Sequence, residues 1–170
     1  MVASLTTCPE KPASDVIRTL VLGLGNPLLA DDSVGLHVVH RLRPELAGRP
    51  GIELGEDFWG GLRLMERMIG FDRAILIDAI CSGSDPGTVH ILAADGMPSR
   101  HSASAHDVGL CAALAVGRKA GASLPAIPNI RLVAIEAGDV LTFSEECTPS
   151  VRASIPRAAQ AVLTLLAAWR

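Results

Sequence analysis

The sequence contains no tyrosine, and aromatic residues make up only 3% of its 170 residues. Aromatic platforms on which bases stack are therefore not expected, and a formal net charge of −3 provides no basic surface for phosphates. No Cys-x-x-Cys pair occurs among the four cysteines, which removes the usual signature of a structural zinc site. We predict that nucleic acid is not a partner of this chain.

Long apolar segments are also missing. No run approaches the roughly 20 residues that span a bilayer, and the first eleven residues contain no apolar stretch of the kind found in secretory signals. We therefore expect no membrane partner and a cytoplasmic location with reduced thiols. We also expect a monomer.

What the sequence does contain is typical of a single folded domain, with 49% hydrophobic and 19% charged residues. We predict a flexible tail over 1–14 and one domain over 15–170. Apolar runs predict strands at 15–24, 52–54, 73–80, 88–92 and 129–135. Helical periodicity predicts helices at 33–43, 62–69 and 104–120 and a closing helix from Thr148-Pro149. This alternation predicts an α/β fold, a three-layer αβα sandwich around a mostly parallel five-stranded sheet.

Two prolines add expectations about helix ends. Pro44 should end the first helix, because proline lacks the N–H that the helix interior needs. Pro156 should kink the closing helix or delay its start. The segment Ser104-Ala-His-Asp107 reads as a capping box at the start of the third helix.

Polar residues follow the main strands at the positions where those strands end. Asp31 and Asp32 come after the first strand, Asp78 ends the apolar run 73–77, and His106 lies in the first turn of a helix. In an open α/β sheet the carboxyl ends of the strands form one rim, so Asp32, Asp78 and His106 could converge there. Two carboxylates and one imidazole suit zinc, nickel or iron.

Each of these residues also has a simpler explanation. Asp31 and Asp32 could stabilise a helix N-terminus, and Asp78 could only accept backbone hydrogen bonds. His106 could be an ordinary first-turn residue. Cys81 follows Asp78 closely, and we expect it to be a buried thiol and not a nucleophile.

The glycines of Gly23-Leu-Gly25 resemble the start of a dinucleotide fingerprint. The third glycine of that pattern falls on Leu28, and Pro27 stiffens the turn, so this interpretation is weak. The five residues Gly23-Leu-Gly-Asn-Pro27 resemble the opening of bacterial peptidyl-tRNA hydrolase, but that family's Thr-Arg-His-Asn segment does not follow. We interpret these glycines as allowing a substrate backbone to approach the rim.

The glycine motif, the acids and several later motifs occur together, in the same order along the chain, in one known family. Between residues 16 and 166 the chain resembles the nickel–iron hydrogenase maturation endopeptidases. The matching motifs are Gly23-Leu-Gly-Asn-Pro-Leu-Leu-Ala-Asp-Asp-Ser-Val-Gly35, Ile77-Asp78-Ala79, Pro86-Gly-Thr88, Ser104-Ala-His106-Asp-Val-Gly109, Val133-Ala-Ile-Glu136 and Phe143-Ser-Glu-Glu-Cys-Thr-Pro149.

The resemblance implies an activity and a partner. Members of this family remove a short C-terminal extension from the hydrogenase large-subunit precursor after nickel has been inserted. It implies that Asp32, Asp78 and His106 are the catalytic residues and the metal ligands. The metal would be nickel supplied by the substrate, which another divalent ion could replace in vitro. The first acid is often Glu in the family, so Asp32 has a shorter reach.

One loop departs from the family pattern, which is commonly Asp-Gly-Gly-Thr. Here Glu56 or Asp57 would replace the usual acid, and Trp59 replaces the threonine. We predict substrate contacts for these three residues and for Asn26. Phe58 and Trp59 could grip the large subunit, or Trp59 could cap the core.

Two other functions keep the same site residues. One is a non-catalytic module that binds the large subunit and checks its nickel loading. The other is a zinc-dependent hydrolase of a small substrate. For the endopeptidase itself, the residues leave open an aspartic-type or a metal-assisted mechanism.

Overall fold

A computed structural model describes residues 16–94 and 109–169 as one five-stranded sheet between helices. The predicted tail over 1–14 and the predicted capping box lie outside the described residues. The elements are β1 (Thr19–Leu24), α1 (Val34–Leu46), β2 (Ile52–Asp57), α2 (Gly61–Arg67), β3 (Arg73–Ile80), β4 (Val89–Ala93), α3 (Leu110–Lys119), β5 (Ile130–Glu136) and α4 (Pro149–Ala168). Two short 3₁₀ turns cover Asp31–Ser33 and Ile127–Asn129.

The strand order is β2-β1-β3-β5-β4, and β4 alone runs antiparallel to its neighbour. Side chains alternate between two cores, as the pleat of a strand requires. Val21 and Ile75 pack with α1 and α4 on one face, whereas Leu22 and Leu76 pack with α2 and α3 on the other. The prediction of a mostly parallel αβα sandwich is confirmed.

Pro44 does not end α1 as predicted, and Pro156 does not delay the start of α4. The kink expected at Pro156 stays a prediction. α1 continues past Pro44 to Leu46, and α4 begins at Pro149 and runs through Pro156 without a delayed start. Both prolines are exposed, so the backbone carbonyls that lose a partner can bond water. On the opposite side of α1, Leu42 and Leu46 are buried, and this packing holds the last turn in helical form.

Other boundaries shift by a few residues. β1 begins at Thr19, because Val16 and Ile17 are about half exposed (49% and 50%) and do not join the sheet. β2 extends to Asp57, three residues beyond the predicted end, because it continues to pair with β1 as far as Leu24. None of the helices within 16–94 and 109–169 is long and apolar enough to cross a membrane.

The glycines of the first motif are needed for internal packing. A Cβ on Gly25 would lie 1.8 Å from the backbone oxygen of Asp32, and Gly25 has a φ of 141° that side chains rarely adopt. A Cβ on Gly35 would lie 2.3 Å from the oxygen of Leu24 and 2.4 Å from that of Ile77. The motif therefore lets the start of α1 pack directly on the ends of β1 and β3. Our interpretation that the glycines let a substrate backbone approach stays a prediction beside this role.

Candidate active site

Asp32 lies in the 3₁₀ turn that follows β1, and its carboxylate faces back toward the preceding loop. Its Oδ2 accepts a 2.7 Å hydrogen bond from the backbone N–H of Asn26. The side chain of Asn26 accepts a 3.0 Å bond from the N–H of Leu28, which closes a local turn. This Asn26 turn therefore fixes the half-buried Asp32 carboxylate at the carboxyl end of the sheet. The structure gives Asn26 a positioning contact, and its predicted contact with substrate stays a prediction.

Asp78 lies near the end of β3, and the turn that carries Asp32 packs against this strand. Its Oδ1 accepts a 2.9 Å bond from the N–H of Ala79. Burial of the carboxyl, with the charge of Asp32 as a second cause, raises the pKa of Asp78 from 3.8 to about 7. The two carboxyls are thus electrostatically coupled, as expected for groups at the ends of adjacent strands. Near neutral pH the pair can hold one exchangeable proton.

His106 lies outside the described residues, so its position relative to the two carboxyls stays a prediction. Within 16–94 and 109–169, no three His, Cys, Asp or Glu side chains are grouped so that they could hold a metal ion. The predicted set of Asp32, Asp78 and His106 therefore has two members whose placement the structure describes.

Asp31, the neighbour of Asp32, has a different role. Its side chain is fully buried, and its Oδ2 accepts bonds from the N–H groups of Gly138 (2.8 Å) and Asp139 (2.9 Å). Thr148 donates its N–H to Oδ1 at 2.7 Å and its hydroxyl to Oδ2 at 3.0 Å. Asp31 therefore fastens the site to the loop after β5 and to the start of α4. These contacts differ from the expected role of Asp31 at the start of its own helix.

Glu136, at the end of β5, is a second buried acid whose role the sequence did not reveal. Its exposed fraction is 2%, and it accepts bonds from the N–H groups of Ser82 and Gly83 (2.7 Å each) and from the Ser82 hydroxyl (2.6 Å). These hydrogen bonds outweigh the effect of burial and lower the pKa of Glu136. Glu136 thus orders the loop that leaves β3 directly after Asp78. Two signals in the sequence marked Glu136, its place after an apolar strand and its place in the Val133-Ala-Ile-Glu136 motif, and neither indicated this role.

Cys81 is exposed, contrary to our expectation of a buried thiol. Desolvation and the charges of Glu136, Asp32 and Asp31 all raise the pKa of its thiol. A raised pKa disfavours the thiolate, which is the nucleophilic form. The surroundings of Cys81 therefore do not activate it as a nucleophile.

Glu56 and Asp57, the two acids of the loop that differs from the family pattern, both bind groups within this protein. Glu56 binds the guanidinium of Arg43, and its Oε1 lies 3.1 Å from Nε2 of His40. Asp57 accepts bonds from the N–H groups of Phe58 (2.8 Å) and Trp59 (3.2 Å). Asp57 thus shapes the turn that presents the two aromatic rings, and direct substrate contacts of Glu56 and Asp57 stay predictions.

Phe58 and Trp59 are 65% and 49% exposed, and neither belongs to the two cores. Their ring centroids lie 4.9 Å apart, and the guanidinium of Arg63 lies 5.3 Å from the centroid of the Trp59 ring. They line an open groove of about 630 Å³ beside β2 and α2. This exposure does not fit a role for Trp59 in capping the core.

Comparison with known proteins identifies the family. The model of the hydrogenase maturation protease (HycI) family matches residues 36–165. The chain is 32% identical over 153 residues to the hydrogenase 2 maturation protease of Escherichia coli (strain K12), which covers 88% of this chain and 91% of that protein. It is 28% identical over 155 residues to the hydrogenase expression/formation protein HupD of Rhizobium leguminosarum bv. viciae, covering 89% and 75%.

The fold agrees with the sequence relationship. The solved structure of the hydrogenase maturating endopeptidase HybD from E. coli superposes with a TM-score of 0.70 at 31% identity, covering 88% of this chain and 92% of that one. The family model begins at residue 36, so it includes Asp78 and not Asp32. The chain belongs to the hydrogenase maturation protease family, and it is accordingly a peptidase.

Proposed function

We propose that this protein removes a C-terminal extension from a nickel-loaded hydrogenase large-subunit precursor. The observation that carries the proposal is the pair of coupled carboxyls, Asp32 and Asp78, on adjacent strand ends of a chain that belongs to this peptidase family. The Asn26 turn and the Ala79 N–H hold the pair in place. A cytoplasmic location and a monomeric state stay predictions.

The chemistry of the pair is suited to peptide hydrolysis near neutral pH. Because burial and the charge of Asp32 raise the pKa of Asp78 to about 7, Asp78 can hold a proton near neutral pH. An ionised carboxylate can accept a proton from water, and a protonated one can donate to the leaving amine. This division of roles is the aspartic-type form of the reaction.

The same two carboxyls, with His106, are the proposed contacts of the nickel that the precursor carries. Two carboxylate oxygens close together repel each other, and a divalent cation between them relieves that repulsion. A precursor without nickel would lack this attraction. The proposed site thereby distinguishes a loaded large subunit from an unloaded one, with the ion arriving as part of the substrate.

The direct test is to incubate the purified protein with nickel-loaded precursor and with metal-free precursor, and to measure the large-subunit mass by mass spectrometry. We expect loss of a C-terminal fragment from the loaded precursor only. Asp32→Asn should reduce the rate at least about 100-fold, the lower range for removing a general acid or base. The matched control is Asp85→Asn, an exposed acid on the loop after β3, which should keep full activity.

Each alternative gives a different result in the same experiment. Binding without cleavage would favour the checkpoint module. Equal cleavage of loaded and metal-free precursor would contradict nickel recognition. Tightly held zinc in the purified protein, together with cleavage of small substrates alone, would favour the zinc hydrolase. Full activity of Asp32→Asn would remove this residue from the proposed mechanism.

Trp59 offers a second prediction, about substrate binding. Trp59→Ala should weaken binding of the precursor about tenfold, because an exposed aromatic ring at an interface commonly contributes that much. The midpoint of thermal unfolding should change little, since the ring is half exposed and lies outside both cores. Isothermal titration with the precursor and thermal unfolding, each on wild type and on Trp59→Ala, measure the two effects. A loss of stability with unchanged affinity would show that Trp59 is structural.

A further inference from the structure

The loop over 137–147, which joins β5 to α4, carries the two most exposed large apolar side chains among the described residues. Leu141 is 82% exposed and Phe143 is 83% exposed, and Leu28, whose backbone oxygen accepts the N–H of Ser144, is 53% exposed. We call these three side chains the rim patch. Leu141 and Phe143 stand apart from the other exposed apolar residues, of which Phe58 is 65% exposed, Val116 54% and Ile91 52%.

The rim patch is physically joined to the catalytic turn. Leu29 and Phe143 form an antiparallel backbone bridge. The N–H of Ala30 donates to the oxygen of Thr142, and the N–H of Ser144 donates to the oxygen of Leu28, each at 3.1 Å. The segment that presents the patch is thus bonded directly to the segment that leads into Asp32.

The loop is also held firmly in this conformation. Buried Asp31 accepts bonds from the N–H groups of Gly138 and Asp139 at one end of the loop and from Thr148 just beyond the other. The side chain of Asp139 accepts bonds from the N–H groups of Leu141 and Thr142, each at 3.0 Å. A loop fixed by so many bonds presents its apolar side chains without a further ordering cost when a partner binds.

The position and charge of the patch indicate its occupant. It lies on the rim of the site that must receive a polypeptide, on the β5 side of Asp32, whereas Phe58 and Trp59 lie on the β2 side. Exposed Glu145 and Glu146 flank it. Glu146 pairs with Arg152 at 3.0 Å, so Glu145 supplies the negative charge beside the patch. That charge is unsuited to nucleic acid or to anionic lipid headgroups, and an apolar patch with a polar border is typical of protein–protein contacts.

We propose that Leu28, Leu141 and Phe143 form a docking surface for an apolar segment of the hydrogenase large-subunit precursor. The inference rests on the proposed function and adds a second contact to it. The precursor is gripped on both sides of the carboxyl pair, by Phe58 and Trp59 at the end of β2 and by the rim patch at the end of β5.

The test is the double variant Leu141→Ser/Phe143→Ser, with steady-state processing of the nickel-loaded precursor as the measurement. We expect KM to rise about tenfold or more, as for loss of apolar contacts at an interface, while kcat stays unchanged because the backbone bonds to the catalytic turn remain. The matched control is Ile91→Ser/Val116→Ser, which removes two exposed apolar side chains from β4 and α3. It should leave KM unchanged.

The outcomes separate this inference from the proposed function. If the wild-type protein cleaves the precursor and the double variant keeps the wild-type KM, the docking inference alone is wrong. If the wild-type protein neither binds nor cleaves the precursor, both fail. A wild-type dimer in sedimentation that the double variant dissociates would identify a second copy as the occupant and would overturn the inference. An unchanged unfolding midpoint of the variant confirms that KM reports docking.

Discussion

Asp78→Asn is expected to abolish processing of the precursor and, at the same time, to make the protein more stable at pH 8. The pKa of Asp78 is raised from 3.8 to about 7 by burial and by the charge of Asp32, so the folded protein holds this carboxylate at a cost above pH 7. At about 1.4 kcal/mol per pKa unit, the cost is up to roughly 4 kcal/mol. Asparagine is neutral and keeps an oxygen that can accept the Ala79 N–H.

The direction of the pH dependence follows from proton binding. Between about pH 4 and pH 7 the folded state binds the Asp78 proton and the unfolded state does not, so the free energy of unfolding falls as the pH rises. Below pH 4 both states are protonated, and wild type and variant should have similar stability. Above pH 7 the difference in the free energy of unfolding between wild type and Asp78→Asn should be largest and constant.

Urea unfolding of wild type and Asp78→Asn from pH 4 to pH 8 measures this difference, and Asp85→Asn serves as a matched exposed control. If the free energies of unfolding of wild type and Asp78→Asn changed with pH in parallel, the pKa of Asp78 would not be raised in the folded protein. A variant that is stabilised yet still processes the precursor would remove Asp78 from the catalytic pair.

Asp31→Ala should lower the free energy of unfolding by about 4 kcal/mol, since it removes four hydrogen bonds from partly buried donors, each of which contributes about 1 kcal/mol. Three backbone N–H groups, of Gly138, Asp139 and Thr148, would lose their acceptor, along with the Thr148 hydroxyl. Water that enters the space could recover part of the loss. Urea unfolding at pH 7 is the measurement.

The adjacent residue supplies the contrast for this prediction. Asp32 accepts one N–H, from the exposed Asn26, so Asp32→Asn should change stability by less than about 1 kcal/mol while removing activity. Hydrogen exchange of the amides at 138, 139 and 148 should accelerate in Asp31→Ala and not in Asp32→Asn. A loss below about 1 kcal/mol in Asp31→Ala would show that these bonds contribute little.

Much of the fold could be predicted, because the apolar strands and amphipathic helices are strongly patterned. The run from Arg73 to Ile80 was predicted with the bounds that the structure shows. Pro44 was misleading, because local preference predicted a helix end where the buried side chains of Leu42 and Leu46 maintain the helix. Propensity acts within a few residues, whereas packing on a sheet involves the whole domain.

The site was predictable in part for a related reason. Strand ends place Asp32 and Asp78 on one rim, and this follows from the parallel sheet alone. Asp31 and Glu136 instead bond backbone groups that are distant in sequence, across 107 and 54 residues for their contacts with Gly138 and Ser82. Any N–H can serve as such a partner, so no spacing or residue type indicates which one it will be.

The bonds of Asp31 also have a consequence for how the enzyme becomes active during synthesis. They join residue 31 to segments 107 to 117 residues later in the chain. Contacts of such long range form only when most of the polypeptide is available, and the entropy cost of closing a loop rises with its length, which slows folding. β1 and the Asn26 turn leave the ribosome early, but the loop beside them is fastened only after Thr148 has emerged. A nascent chain therefore contains Asp32 and Asp78 long before the loop over 137–147 is bonded to Asp31. We expect peptidase activity only after α4 has been synthesised.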